Sequence, residues 1–124
     1  MHYKCIACNE LGFTHFYNKE KALLYLLNLN NEQKDIFIYS LKDDELITKM
    51  IMNYKDTYLE IENNSIYYKD HYLNIYSYYI ETNHIECNLL FEYLKRFHKI
   101  WCCIDDENNI IWINACKVLK NCVK

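Results

Sequence analysis

The chain has no proline, a single glycine (Gly12) and a single arginine (Arg96), while Phe, Tyr, Met, Ile, Asn and Lys supply 64 of its 124 residues. A/T-rich codons encode those six, so the composition points to an A/T-rich genome such as that of a phage, a large DNA virus, a mobile element, or an A/T-rich bacterium or parasite. The scarcity of glycine removes the phosphate-cradling loops G-x-x-x-x-G-K and G-x-G-x-x-G and the Gly-flanked nucleophilic serine. One arginine leaves only one side chain able to grip phosphate as a bidentate fork. Turns fall to Asn and Asp, which tolerate left-handed backbone better than most residues with a side chain.

Long apolar runs are missing too. No stretch approaches the roughly 18 apolar residues that span a bilayer, and the first fifteen residues lack a charged region followed by an apolar one. A cytoplasmic protein that does not engage membranes is therefore expected. Hydrophobic residues make up 52% of the sequence, and 13 residues are Tyr, enough to bury one core over residues 1–124. An odd count of seven cysteines argues against a disulfide framework and for reduced, mostly buried thiols. The net charge of −3 is uneven: residues 32–92 carry five Lys against twelve acids, and residues 93–124 six basic groups against three acids. An acidic middle is the opposite of a nucleic-acid footprint.

The patterning predicts an α+β fold in the order β-β-α-β-α-β-β-β-α-β-β, an antiparallel or mixed sheet with about three helices. An N-terminal hairpin is expected over 2–17, with Gly12 supplying positive φ in its turn. Ala22, Leu23, Leu26 and Leu27 mark a helix, and Asp35 to Leu41 reads as a buried strand. A second helix should begin at Asp43. Residues 57–80 read as an antiparallel meander, 84–98 as an amphipathic helix, and 100–115 as a C-terminal hairpin around Asp105 to Asn109.

Cys5-Ile6-Ala7-Cys8 has a spacing that can fill two corners of a tetrahedral zinc site, with His15 the nearest third ligand. The plain alternative is two small hydrophobic cysteines in a strand and turn. No other cofactor is expected. Redox activity would need a helix directly after Cys5, where a turn is predicted. Cys102 and Cys103, adjacent in a strand, should point to opposite faces. A cysteine-dependent enzyme needs a histidine partner, and no motif selects one among His15, His71, His84 and His98. Asp43, Asp44 and Glu45 fit a helix N-terminus.

The tyrosines Tyr68, Tyr72, Tyr76, Tyr78 and Tyr79 admit three readings: codon-favoured strand formers, a protein interface, or a stacking platform for bases. Stacking calls for interleaved lysines, and within this run only Lys69 qualifies. The functional expectation is a non-catalytic binding or inhibitor-type protein whose partner is a protein. Tyr68 to Tyr79 and the acidic segment at Asp43, Asp44 and Glu45 would carry the contact. A viral or mobile-element accessory protein that blocks a host factor is its specific version.

Overall fold

The computed structural model describes residues 1–18, 22–41, 59–62, 65–68, 70–86, 89–95, 98–114 and 117–120. Among the described residues eight strands form one antiparallel sheet: β1 (Tyr3–Cys8), β2 (Leu59–Glu62), β3 (Ser65–Tyr68), β4 (His71–Ile75), β5 (Ile80–Thr82), β6 (Ile100–Ile104), β7 (Ile110–Asn114) and β8 (Lys117–Lys120). Their spatial order is β2-β3-β4-β5-β1-β6-β7-β8, so the first strand lies near the centre, between β5 and β6. Four helices are described: α1 (Glu10–Asn18), α2 (Ala22–Leu27), α3 (Asn31–Phe37) and α4 (Leu89–Leu94). The fold is α+β, as the patterning predicts.

Two cores sandwich the sheet. Alternate side chains of the central strands point to opposite faces, so Cys5, Ala7, Trp101, Cys103 and Ile113 join one cluster with Ile80, Leu73, Phe91 and Leu94. Ile6, Cys8, Cys102, Ile104 and Trp112 join the other with Phe16, Leu23, Leu26 and Ile38. The first core takes side chains from α4; the second lies under α1 and α2 and the Ile38 segment. Cys102 and Cys103 divide between the faces as their adjacency requires, and both are fully buried.

The N-terminal hairpin over 2–17 is corrected to a strand followed by a helix. Asn9 does not turn the chain into a second strand; its side chain caps α1 by accepting the Gly12 N–H at 2.7 Å. The same residue ties α1 to the end of α3, donating through its backbone N–H to the Phe37 carbonyl (3.1 Å) and through Nδ2 to the Ile36 carbonyl (2.8 Å). Phe13 and Phe16, three apart on α1, then both reach the Trp112 ring, at centroid distances of 5.1 and 6.4 Å. Gly12 has no positive φ; it is needed because α1 passes against the Phe37 backbone.

The buried strand over 35–41 is likewise corrected. Asn30 and Gln33 close a reciprocal capping box that starts α3. Of the apolar run, Ile36 and Tyr39 are exposed, and Ile38 alone is fully buried, bridging to Cys8. An apolar run of four cannot by itself distinguish a strand from a helix end.

The hairpins expected later in the chain are present. β2 and β3 pair with Glu62 opposite Ser65, and β4 continues the meander. The 71–80 stretch bends once more at Tyr76, whose N–H donates to the Tyr79 carbonyl at 2.9 Å, adding β5. β6 and β7 form the C-terminal hairpin. Asp105 Oδ1 accepts the Glu107 and Asn109 N–H groups in its turn, and Asn108 takes the left-handed conformation at φ 64°. The 84–98 helix is shorter, Leu89–Leu94, and the helix expected from Asp43 lies outside the described residues.

Tyr78 is the clearest tertiary lock. Its ring is buried in the second core, and its hydroxyl donates to Asp35 Oδ1 on α3 at 2.7 Å. That bond to Asp35, aided by burial, raises the phenol above its ordinary value near 10; burial raises Tyr72 and Tyr79 as well. A phenol whose folded value is raised stabilises the fold below the unfolded value and stops doing so as pH climbs through the folded one. Unfolding free energy should therefore decline above about pH 10. Tyr78→Phe should cost about 1.5 kcal/mol at pH 7 and flatten part of that decline. Urea titrations between pH 7 and 11 measure both; an unchanged alkaline slope in the variant would contradict the assignment.

Candidate binding face

The helices α1 and α2 lie over the β1–β6–β7 half of the second sheet face. On the β3–β4–β5 half, register aligns the polar members of each strand: Ser65 with Asn74, Tyr67 with Tyr72, and Asn74 in turn with Glu81, which pairs with Lys4. Period-two alternation puts Tyr72, Asn74 and Tyr76 on one side while Leu73 and Ile75 enter the first core. Tyr67 and Tyr76 are each 38% exposed, and Tyr72, Tyr79 and Glu81 are half-buried. The Tyr76 and Tyr79 rings stack at 4.6 Å and 19°.

The carboxylates complete this surface. Burial, then the Glu81 and Asp106 charges, hold the Tyr72 phenol neutral, and Glu81 acts likewise on Tyr79. His2 links the face to the C-terminal hairpin: its N–H donates to Asp106 Oδ2 at 2.9 Å and its ring Nδ1 lies 2.5 Å from the Tyr72 hydroxyl. Beside it opens a cavity of about 220 Å³ whose walls include Glu81, Asp105, Asp106, Lys4 and Leu24. Three carboxylates against one ammonium make it an acidic recess. Lys4 itself lies over the Tyr79 ring, with Nζ 5.8 Å from the centroid.

The expected interface residues separate accordingly. Tyr72, Tyr76 and Tyr79 come together, joined by Tyr67, His2, Glu81 and Asp106. Tyr78 does not belong to the surface, because it is buried under α3. Tyr68 pairs with His71 in the ladder instead of with Tyr72. Asp43, Asp44 and Glu45 lie outside the described residues. The alternation Tyr72-x-Asn74-x-Tyr76 was the available signal for the shared face, whereas His2 and Asp106, 104 positions apart, had none.

The cysteine motif is not assembled as a metal knuckle. Cys5 and Cys8 lie in one strand three positions apart, in opposite cores, and His15 stacks on Phe37 at 4.6 Å. The three do not converge. Cys5 is instead disulfide-bonded to Cys103, directly opposite in β6 with Cα atoms 4.0 Å apart, so the expectation that all cysteines are reduced is corrected for this pair. Cys8 and Cys102 are buried outside the disulfide, and desolvation drives the Cys8 thiol far above its ordinary value, which removes nucleophilic character. Among the described residues no helix is long and apolar enough to cross a membrane. No protein-family model matches the chain, and no curated protein matches it significantly.

Proposed function

We propose that the protein is a non-catalytic binding protein whose tyrosine and carboxylate face docks on a basic surface of a protein partner. The observation that carries this reading is the union of Tyr67, Tyr72, Tyr76 and Tyr79 with the acidic recess at Glu81 and Asp106 on one half of a sheet face. Tyrosine offers large contact area at low entropic cost, and its ring accepts cations on its face. A lysine or arginine of the partner would enter the recess while neighbouring basic groups lie over the rings, as Lys4 already does over Tyr79. A partner built to hold nucleic acid has such a surface, so obstruction of a host factor is the specific form of the proposal. Carboxylates would there take the place of phosphates.

Capture from cells of the source organism with wild type, Tyr72→Ala/Tyr76→Ala and Glu81→Lys provides the test. A stoichiometric partner held by wild type should bind the variants about 100-fold more weakly, and wild-type affinity should fall with added salt. Variants that bind equally well, or binding unchanged between low and high salt, would remove the proposal. The zinc-stabilised reading through Cys5 and Cys8 gains no support from their placement in opposite cores.

A further inference from the structure

Away from the tyrosine face, the start of β4 and the end of β5 bring Asp70, His71 and His84 together. One donor atom from each lies within 4.8 Å of the other two. The imidazoles sit with centroids 4.4 Å apart, and His71 Nε2 is 3.6 Å from Asp70 Oδ1. Donors bound at about 2.0–2.2 Å in a tetrahedral site are separated by roughly 3.3 Å, so the Asp70–His71 pair is already near ligating distance. The outer side chains, Asp70 and His84, are exposed and have room to close the remaining gap.

The backbone under these donors is held by dedicated side chains. Asn83 accepts the Tyr72 N–H through Oδ1 (3.1 Å) and donates through Nδ2 to the Asp70 carbonyl (2.6 Å), clamping the two ligand-bearing segments together. Thr82, fully buried, donates its hydroxyl to the His84 carbonyl at 3.1 Å. His71 is mostly buried, and its Nδ1 has no hydrogen-bond partner among the described residues. It is the other ring nitrogen, Nε2, that lies toward Asp70 at 3.6 Å, and the His84 imidazole lies beside the same ring with centroids 4.4 Å apart.

We infer that Asp70, His71 and His84 form a binding site for a divalent transition-metal cation of the zinc class. Two imidazoles and one carboxylate are borderline donors that suit zinc over calcium or magnesium, which prefer all-oxygen shells. Three protein ligands at a solvent-facing position leave a coordination place for water or for a donor from a bound molecule. The site does not depend on the tyrosine face and stands or falls separately.

The test uses Zn²⁺ alone, titrated into the full chain in competition with a chromophoric chelator, with wild type, His84→Ala, Asp70→Asn and, as control, His2→Ala. Wild type and His2→Ala should take up one zinc saturably. His84→Ala and Asp70→Asn should bind at least about tenfold more weakly, with circular dichroism confirming that they fold. Because His84 and Asp70 are exposed, both variants are suited to this comparison. No saturable uptake by wild type, or unchanged affinity in His84→Ala and Asp70→Asn, would overturn the inference, the second result by placing the bound zinc elsewhere.

Discussion

Gly12→Ala should destabilise the protein by about 3 kcal/mol, although alanine is the better helix former by about 1 kcal/mol. In an unobstructed helix interior the exchange is favourable, because glycine loses more backbone entropy on folding. Here the added Cβ would fall inside the contact distance of the Phe37 carbonyl oxygen and lie 2.9 Å from its carbon. That carbonyl is backbone and is already engaged by the Asn9 N–H at 3.1 Å, so relief requires moving α1 away from α3. Such a shift breaks the Asn9 contacts and loosens Phe13 and Phe16 from Trp112. The urea midpoint measures the effect. A midpoint equal to or above wild type would show that the close approach does not constrain the fold.

Loss of the Cys5–Cys103 bond should cost a similar amount, about 2–4 kcal/mol. The bond joins residues 98 apart in sequence, and cross-linking so long a loop restricts the unfolded chain strongly; the chain-entropy model gives about 4.7 kcal/mol for a loop of about 100 residues. It also connects β1 and β6, neighbouring strands that contribute side chains to both cores. Because both sulfurs are fully buried, reduction is best achieved by unfolding and refolding in reductant. The refolded reduced protein and the Cys5→Ala/Cys103→Ala variant should both show the lowered midpoint. Identical unfolding curves for oxidised and reduced wild type would dispose of a stabilising role.

Local signals decided several elements correctly. The β6–β7 hairpin was legible because an Asp- and Asn-rich turn separates two β-branched and aromatic runs, and the β2–β3 pairing because Asn63-Asn64 does the same. The opposite burial of Cys102 and Cys103 follows from the two-residue period of a strand. In the short segments 13–17 and 36–39, tertiary contacts and capping outweigh local propensity. At 13–17 the aromatic residues suit a strand by propensity, yet the Asn9 cap and the fit of Phe13 and Phe16 to Trp112 make a helix, and that fit involves a residue almost 100 positions away. At 36–39 the capping box of Asn30 and Gln33 outweighs the β-propensity of the run.

The sites divide in the same way. From sequence, Tyr72 and Tyr76 are separable from Tyr78 only once the bend at Tyr76 to Tyr79 is known, because that bend sends Tyr78 under α3. Cys5 and Cys8 drew attention through their spacing, but strand geometry separates them and register gives Cys5 a different partner, Cys103. His71 and His84 are visible as histidines and meet only because β4 and β5 are antiparallel neighbours clamped by Asn83.

Composition and periodicity alone determined the fold class, the placement of turns on Asn and Asp, and the absence of glycine-built phosphate loops, since these depend on codon-limited residue types and short-range sterics. The tertiary structure decided the role of the only glycine, the partner of Cys5, and the gathering of Tyr67, Tyr72, Tyr76, Tyr79, Glu81, His2 and Asp106 on one face. Strand order and register bring together residues up to 104 positions apart, and their energies come from contacts that no local window contains.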